Sequence, residues 1–280
     1  SATPSLETYY NVNKDKYALV EMKSRFEGIQ MPKIQTIDIR KANLKRQMND
    51  YFSHDLLNAI CETLKLRKQV ILFQNRRGYS PVLSCESCAY TPKCNNCDVS
   101  LTYYKINNHL KCHYCGYIEQ LPDACHHCSC KVFIDRGIGT EKIEASLNSL
   151  FPDHITKRMD YDTTRAKNAY QKIITEFENG IIDILVGTQM ITKGLDFDNV
   201  AMVGILNADS MLTFPDFRSH ERAFQLMTQV SGRAGRKGNQ GQVFIQTFND
   251  NHPIFKILKS HSFKDFLSIQ AKDRKLFNYP

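Results

Sequence analysis

Four Cys-x-x-Cys pairs lie within one short segment: Cys85/Cys88, Cys94/Cys97, Cys112/Cys115 and Cys125/Cys128. Two residues between sulfurs let both thiolates of a pair turn toward one ion, and four sulfurs close the tetrahedral shell of a structural zinc. Eight ligands therefore predict two zinc sites, each held by four thiolates. Four pairs can combine in three ways. Nesting, with Cys94, Cys97, Cys112 and Cys115 on an inner ion and Cys85, Cys88, Cys125 and Cys128 on an outer one, brings the ends of the segment together, as an insertion into another domain requires. A disulfide framework is the competing reading. It suits exported chains, and Ser1-Ala2-Thr3-Pro4-Ser5 carries neither the basic start nor the apolar run of an export signal. Of the two remaining cysteines, Cys61 falls in an apolar helical pattern (Leu56, Leu57, Ile60, Leu64) and reads as a small buried hydrophobe, while Cys130 has poorer ligand spacing than Cys128.

A second group of residues is suited to phosphates. Gly187-Thr-Gln-Met-Ile-Thr-Lys-Gly-Leu-Asp196 follows an apolar run, and Gln229-Val-Ser-Gly-Arg-Ala-Gly-Arg236 lies further on. A Gly-Thr turn at the carboxyl end of a parallel strand exposes N–H groups and a hydroxyl where ligands bind in such sheets. Two arginines three apart, Arg233 and Arg236, can make permanently charged, bidentate contacts to one polyphosphate. Each feature alone is commonplace; a Gly-Thr turn is usually only a turn, and an arginine pair usually a solvated helix face.

The elements that must position these groups alternate. A helix is expected at about 54–66, a strand at 70–73, and after the cysteines strand 131–135, helix 140–149, strand 155–159, helix 165–179 and strand 182–186. Strand 200–206, helix 217–231, strand 241–246 and a helical tail from 253 complete the pattern. Short apolar strands spaced by helices indicate an α/β fold whose parallel sheet is covered on both faces. The cysteine segment then reads as a small module inserted after the first strand, with Val99-Ser-Leu-Thr-Tyr-Tyr104 forming one strand of a hairpin. Four parts are expected: a polar connector over 1–53, a lobe built from 54–84 and 131–252, the inserted zinc module over 85–130, and a tail over 253–280.

The charge, +8 from 37 basic and 29 acidic side chains, suits a nucleic-acid partner without demanding one, and eight metal-bound thiolates on two dications would reduce it. The strongest apolar runs fall far short of the ~20 residues of a membrane span, so membrane classes are excluded.

The paired blocks resemble motifs V and VI of superfamily 2 helicases, and Ser1-Ala2-Thr3-Pro4 resembles motif III. Asn75-Arg-Arg-Gly-Tyr79, Gly137-Ile-Gly-Thr-Glu141, Met159-Asp-Tyr-Asp-Thr-Thr164 and Phe214-Pro-Asp-Phe-Arg218 narrow the resemblance to the primosomal replication-restart helicases, across essentially the whole chain. That resemblance implies a RecA-like second helicase lobe and the same nested zinc pairing. It also implies an ATP-dependent 3′–5′ DNA helicase acting at stalled or branched forks, with ATP and Mg²⁺ held between two lobes and DNA-linked partners in single-strand-binding and primosome proteins. A cytoplasmic, nucleoid-associated location follows from the same likeness. By resemblance Arg236 is the arginine finger and Arg233 faces the phosphates; Gly194 and Asp196 lie near the nucleotide sugar; Thr140, Thr188 and Gln189 hold the DNA backbone. Arg76 and Arg77 either contact DNA or balance the anionic thiolate sites. Thr140 has the competing reading of a helix cap.

No Gly-x-x-x-x-Gly-Lys-Ser/Thr and no Asp-Glu-x-His block occurs. The family carries both upstream of motif III, so the chain is expected to be a piece of a longer parent and inactive as an ATPase alone. Two other functions stay open at this point: another superfamily 2 repair helicase, and a zinc-dependent nucleic-acid adaptor without motor activity.

Overall fold

The computed structural model describes residues 2–22, 29–75, 82–104, 108–112, 114–134, 139–161, 163–192, 197–235 and 240–279. In chain order the elements are α1 (Leu6–Asn13), β1 (Lys33–Asp38), α2 (Ile39–Leu44), β2 (Met48–Asn49), β3 (Phe52–Ser53), α3 (His54–Lys65) and β4 (Gln69–Phe73). The cysteine segment contributes β5 (Ser84–Cys85), β6 (Thr102–Tyr104), β7 (His109–Lys111), β8 (Ile118–Gln120) and β9 (Phe133–Ile134). There follow α4 (Thr140–Leu150), β10 (Thr156–Met159), α5 (Ala169–Glu178), β11 (Ile184–Gly187), a 3₁₀ turn (Gln189–Thr192), β12 (Val200–Ile205), α6 (Asp209–Leu212), α7 (Ser219–Ser231), β13 (Gln242–Thr247), α8 (Pro253–Ser260) and α9 (Phe263–Leu276).

Six strands form one all-parallel sheet in the order β1-β13-β12-β4-β11-β10. Such a sheet must be buried on both faces, and β4 shows how the alternation divides. Ile71 and Phe73 point into a core with α5, α7, α8 and α9 (Phe177, Phe224, Met227, Phe255, Phe266), whereas Val70 and Leu72 meet α3 and α4 (Leu56, Ile60, Ile143, Leu147) on the other side. The α3 helix forms because Leu56, Ala59, Ile60 and Leu64 repeat at helical spacing, and because the Ser53 hydroxyl caps it by accepting from the Leu56 N–H at 3.2 Å. It stops at Arg67, which is left-handed (φ 53°).

Three boundaries differ from expectation. Residues 33–53 are part of the lobe: β1 pairs with β13 along its whole length, from Lys33↔Gln242 to Asp38↔Thr247. As an edge strand, β1 mixes polar residues with Ile34 and Ile37, so its pattern resembles that of a polar connector. Phe133–Ile134 lies outside the central sheet and pairs antiparallel with Ser84–Cys85 at the base of the insertion. The tail lies on the lobe itself, with Ile254, Phe255, Ile257, Leu258, Phe266 and Leu267 buried. None of the described helices is long and apolar enough to cross a membrane.

A buried ion pair joins the two ends of the chain to α7. Arg274 of α9 donates to Glu221 at 2.5 Å and to Glu7 at 2.7 Å; Arg218 reaches the same Glu7 oxygen at 2.7 Å. The Leu6 N–H donates to Glu221 at 3.0 Å, and Gln225 donates to the Thr3 carbonyl at 3.4 Å. Burial alone would raise the Glu7 carboxyl, but its hydrogen bond to Arg274 and its own local bonds pull it down to about 2. Removing one partner of the Glu221–Arg274 pair strands a buried charge. Arg274→Ala should therefore lower stability by about 3–5 kcal/mol in chemical denaturation of the zinc-loaded chain, while an exposed substitution such as Lys272→Ala stays within about 0.5 kcal/mol.

Candidate metal centres and nucleic-acid edge

The eight cysteines assemble as two quartets, Cys85/Cys88/Cys125/Cys128 and Cys94/Cys97/Cys112/Cys115, with all sulfurs of a quartet within 4.8 Å of one another. The pairing is nested. Close approaches of 3.4 Å (Cys85–Cys128), 3.5 Å (Cys94–Cys115) and 3.6 Å (Cys88–Cys125) are far longer than a disulfide bond, and all ten cysteines are free. Zn–S bonds of about 2.3 Å in a tetrahedron place sulfurs about 3.8 Å apart, so the donor set fits zinc in number, chemistry and spacing.

One turn is used four times. In each knuckle the first cysteine's carbonyl accepts from the residue four further on, which is left-handed: Ala89 (φ 61°), Asp98 (49°), Gly116 (74°) and Ser129 (58°). The first cysteine's N–H then donates to the carbonyl one residue beyond, at 2.8 Å, on Tyr90, Val99, Tyr117 and Cys130 respectively. This closes a loop that aims both sulfurs inward. Cys130 contributes through its backbone and stands outside both quartets. Each quartet has two buried cysteines, one intermediate and one exposed. Burial pushes the Cys85 and Cys97 thiols up to about 12, while the Tyr117 N–H lowers Cys115 to about 6 and the Cys130 N–H lowers Cys128 to about 7.

An aromatic joint seats the inner quartet on the lobe. The Phe217 ring stacks on Tyr279 (centroids 4.7 Å) and meets Tyr114 edge-on at 5.9 Å. The Phe217 N–H donates to the Tyr114 hydroxyl at 3.3 Å, and the Tyr279 hydroxyl donates to the Cys97 carbonyl at 2.6 Å. Arg218 and Arg274 lie over the Phe217 ring at 5.0 and 5.3 Å. Phe217 belongs to the motif Phe214-Pro-Asp-Phe-Arg218, but nothing local reveals that its partners come from the zinc module and the chain's end.

Of the residues proposed to face DNA or nucleotide, Thr188 follows the last residue of β11, and its N–H donates to the Met159 carbonyl at 3.4 Å. Gln189 opens the 3₁₀ turn and donates to the Asn75 side chain at 3.0 Å, which adds Asn75 to the carboxyl edge of the sheet. Arg233, just past α7, donates to the Thr192 carbonyl at 2.6 Å, so the two sequence blocks meet. Gly241 guards that meeting: a β-carbon there would lie 2.3 Å from the Ala234 carbonyl carbon and 2.4 Å from the Gly235 nitrogen. Arg236, Gly194, Asp196, Arg76 and Arg77 lie outside the described residues.

Thr140 opens α4 with its side chain fully buried, and its hydroxyl donates to Asp160 at 2.6 Å; the helix cap is Gly139, without a side-chain bond. Burial alone would raise the Asp160 carboxyl, but hydrogen bonds from Thr140 and the Thr163 N–H, with Arg158 at 3.6 Å, hold it below its ordinary value.

Because zinc binds thiolates, the raised thiols must lose protons on binding. Zinc affinity should therefore fall as pH falls, by roughly a hundredfold or more between about pH 8 and about pH 6 in a competition titration, with proton release on binding. Metal analysis at neutral pH should return two zincs per chain; one or none in a folded segment 85–130 contradicts the reading.

Residues 94–119 match the PriA DNA helicase Cys-rich region (CRR) domain, and residues 133–238 match the helicase conserved C-terminal domain. The whole chain is 42% identical over 280 residues to the replication restart protein PriA of Bacillus subtilis (strain 168), covering 35% of that protein. It is 43% identical over 288 residues to the PriA of Synechocystis (34% of that protein) and 41% identical over 282 residues to that of Chlamydia pneumoniae (38%). The chain thus spans about a third of the length of these curated relatives. Among solved structures it is similar to S. cerevisiae Dbp5 L327V bound to RNA and ADP BeF3, at a TM-score of 0.47 and 13% identity, over 98% of this chain and 54% of that one. Identities of 41–43% that extend over the whole chain, together with the matches to the PriA Cys-rich region and to the helicase C-terminal domain, place the chain in the PriA family of replication restart proteins.

Proposed function

We propose that this chain is the second motor lobe, with its zinc module, of an ATP-dependent 3′–5′ DNA helicase that opens stalled or branched replication forks and begins primosome assembly. The observation that carries this reading is the contact between Arg233 and Thr192, 41 positions apart in sequence, which joins the two blocks into one unit. A motor needs such a joint, because the group that senses the nucleotide must move with the group that holds the strand.

In this reading ATP and Mg²⁺ are held by a first lobe, and this chain supplies charge from the opposite side. Phosphoryl transfer depends on positioning and on neutralising charge at the transferred group. Arg236 acts as the finger, Arg233 as its neighbour on the phosphates, and Gly194 and Asp196 sit at the nucleotide sugar. Thr188 and Gln189, with Arg76 and Arg77, track the backbone of single-stranded or forked DNA, and backbone contacts carry no sequence information. Thr140 serves indirectly, by fixing Asp160. Two Zn²⁺ are structural: protein fills every position, so neither activates water. The zinc module then offers a surface to single-strand-binding and primosome proteins in the bacterial cytoplasm, at the nucleoid.

The test compares the isolated chain with its full-length parent. The isolated chain should bind single-stranded DNA weakly, with steep salt dependence and little sequence preference, and should show no DNA-stimulated ATPase. In the parent, Arg233→Ala or Arg236→Ala should leave nucleotide binding in place and cut DNA-stimulated turnover by about 10³-fold or more. Robust ATPase from the isolated chain, or normal unwinding by the Arg236→Ala parent, contradicts the assignment.

A further inference from the structure

Just after β10 an exposed aromatic ring follows a buried aspartate that several hydrogen bonds hold. Asp160 is 6% exposed, and its carboxylate accepts from the Thr140 hydroxyl at 2.6 Å and the Thr163 N–H at 3.0 Å. Its own N–H donates to the Thr163 hydroxyl at 3.0 Å, and its carbonyl accepts from the Thr164 hydroxyl at 2.6 Å. The next side chain, Tyr161, is 71% exposed, and the Arg165 guanidinium lies over its ring, 5.3 Å from the centroid.

The loop's place in the sheet gives this ring a role. Met159, two residues earlier, is in register with Gly187, and its carbonyl accepts from the Thr188 N–H. The Thr164 hydroxyl reaches the Met190 sulfur at 3.6 Å, so the loop also rests on the 3₁₀ turn that carries Gln189. Tyr161 therefore belongs to the same carboxyl edge as Thr188, Gln189 and Asn75. Those three offer a hydroxyl and amides, which suit phosphate and sugar. None of them offers a flat apolar face.

We propose that Tyr161, backed by Arg165, is a stacking platform for an unpaired base of single-stranded DNA held along this edge. The inference rests on the DNA-tracking reading above and deepens it. A base is large, flat and π-faced whatever its identity, so one ring can serve every sequence. An arginine over one face of the ring leaves the base to stack on the other and places a permanent positive charge within reach of a flanking phosphate. The bonds at Asp160 matter because they hold the backbone from which the ring projects, so less freedom is lost when the base arrives. Thr140 and Asp160 thus act as positioning residues, through the backbone of the loop.

The experiment measures binding of the zinc-loaded 280-residue chain to two fluorescent oligomers of about fifteen residues, one of oligo-dT and one of the same backbone with abasic sugars. Tyr161→Ala should weaken oligo-dT binding about tenfold and leave binding to the abasic backbone unchanged, while Tyr161→Phe stays within about twofold of the parent sequence. Arg165→Ala should reduce the slope of log affinity against log salt by about 0.7. Zinc content and circular dichroism of each variant verify folding. Equal losses on both oligomers, or no loss on oligo-dT, overturn the platform while leaving the backbone contacts in place. A parent sequence that does not bind oligo-dT at all overturns the DNA reading together with it.

Discussion

A parallel sheet tolerates an insertion only where the chain leaves and returns at the same point. Here that constraint falls on the connection after β4, the strand seated between β11 and β12. Two devices meet it. Ser84–Cys85 pairs antiparallel with Phe133–Ile134, and the outer quartet ties Cys85 and Cys88 to Cys125 and Cys128. Nested ligation therefore serves the sheet as well as the module. The inner quartet is released from that duty, and it is the one that carries the β6–β7 hairpin and meets the lobe.

Once the neck is closed, the module's posture is set from outside it. Tyr114 comes from an inner knuckle, Phe217 from the approach to α7, and Tyr279 from the end of the chain. The same α7 accepts the Leu6 N–H through Glu221, is gripped by Arg274, and leads directly to Arg233. One helix thus receives the metal module at its start and delivers an arginine at its end. The hydrogen bonds and ring contacts involved are individually modest, but they share side chains, so none shifts alone.

Legibility in the sequence followed how local each signal was. The zinc ligands were plain because Cys-x-x-Cys is a four-residue unit, and nesting followed from chain geometry. The run Val70-Ile-Leu-Phe73 announced a buried strand, as did Val200–Ile205. By contrast β1 went unread because an edge strand needs only Ile34 and Ile37 inward. The packing of α8 and α9 went unread because an amphipathic helix does not name its partner. The bond from Thr140 to Asp160 went unread for the same reason: residue type could not show that the two come together. The contacts that build the edge around Thr188 all cross from one strand to its neighbour, which is where pattern-reading stops.

The division between local module and distant sheet also orders the events of synthesis. When β4 emerges from the ribosome its neighbours do not yet exist, since Val70 must wait for Ile184 and Met202. The zinc module, which is translated next, closes with ligands drawn only from its own segment. A nascent chain therefore carries a finished ribbon beside an unpaired, strongly apolar strand until β11 and β12 appear. Long-range parallel pairing is slow and exposes surface that aggregates. With residues 84–85 tied to 133–134 and Cys85 and Cys88 grouped with Cys125 and Cys128, the ribbon shortens the free chain between β4 and its later partners, which lowers the entropy that closing that loop costs.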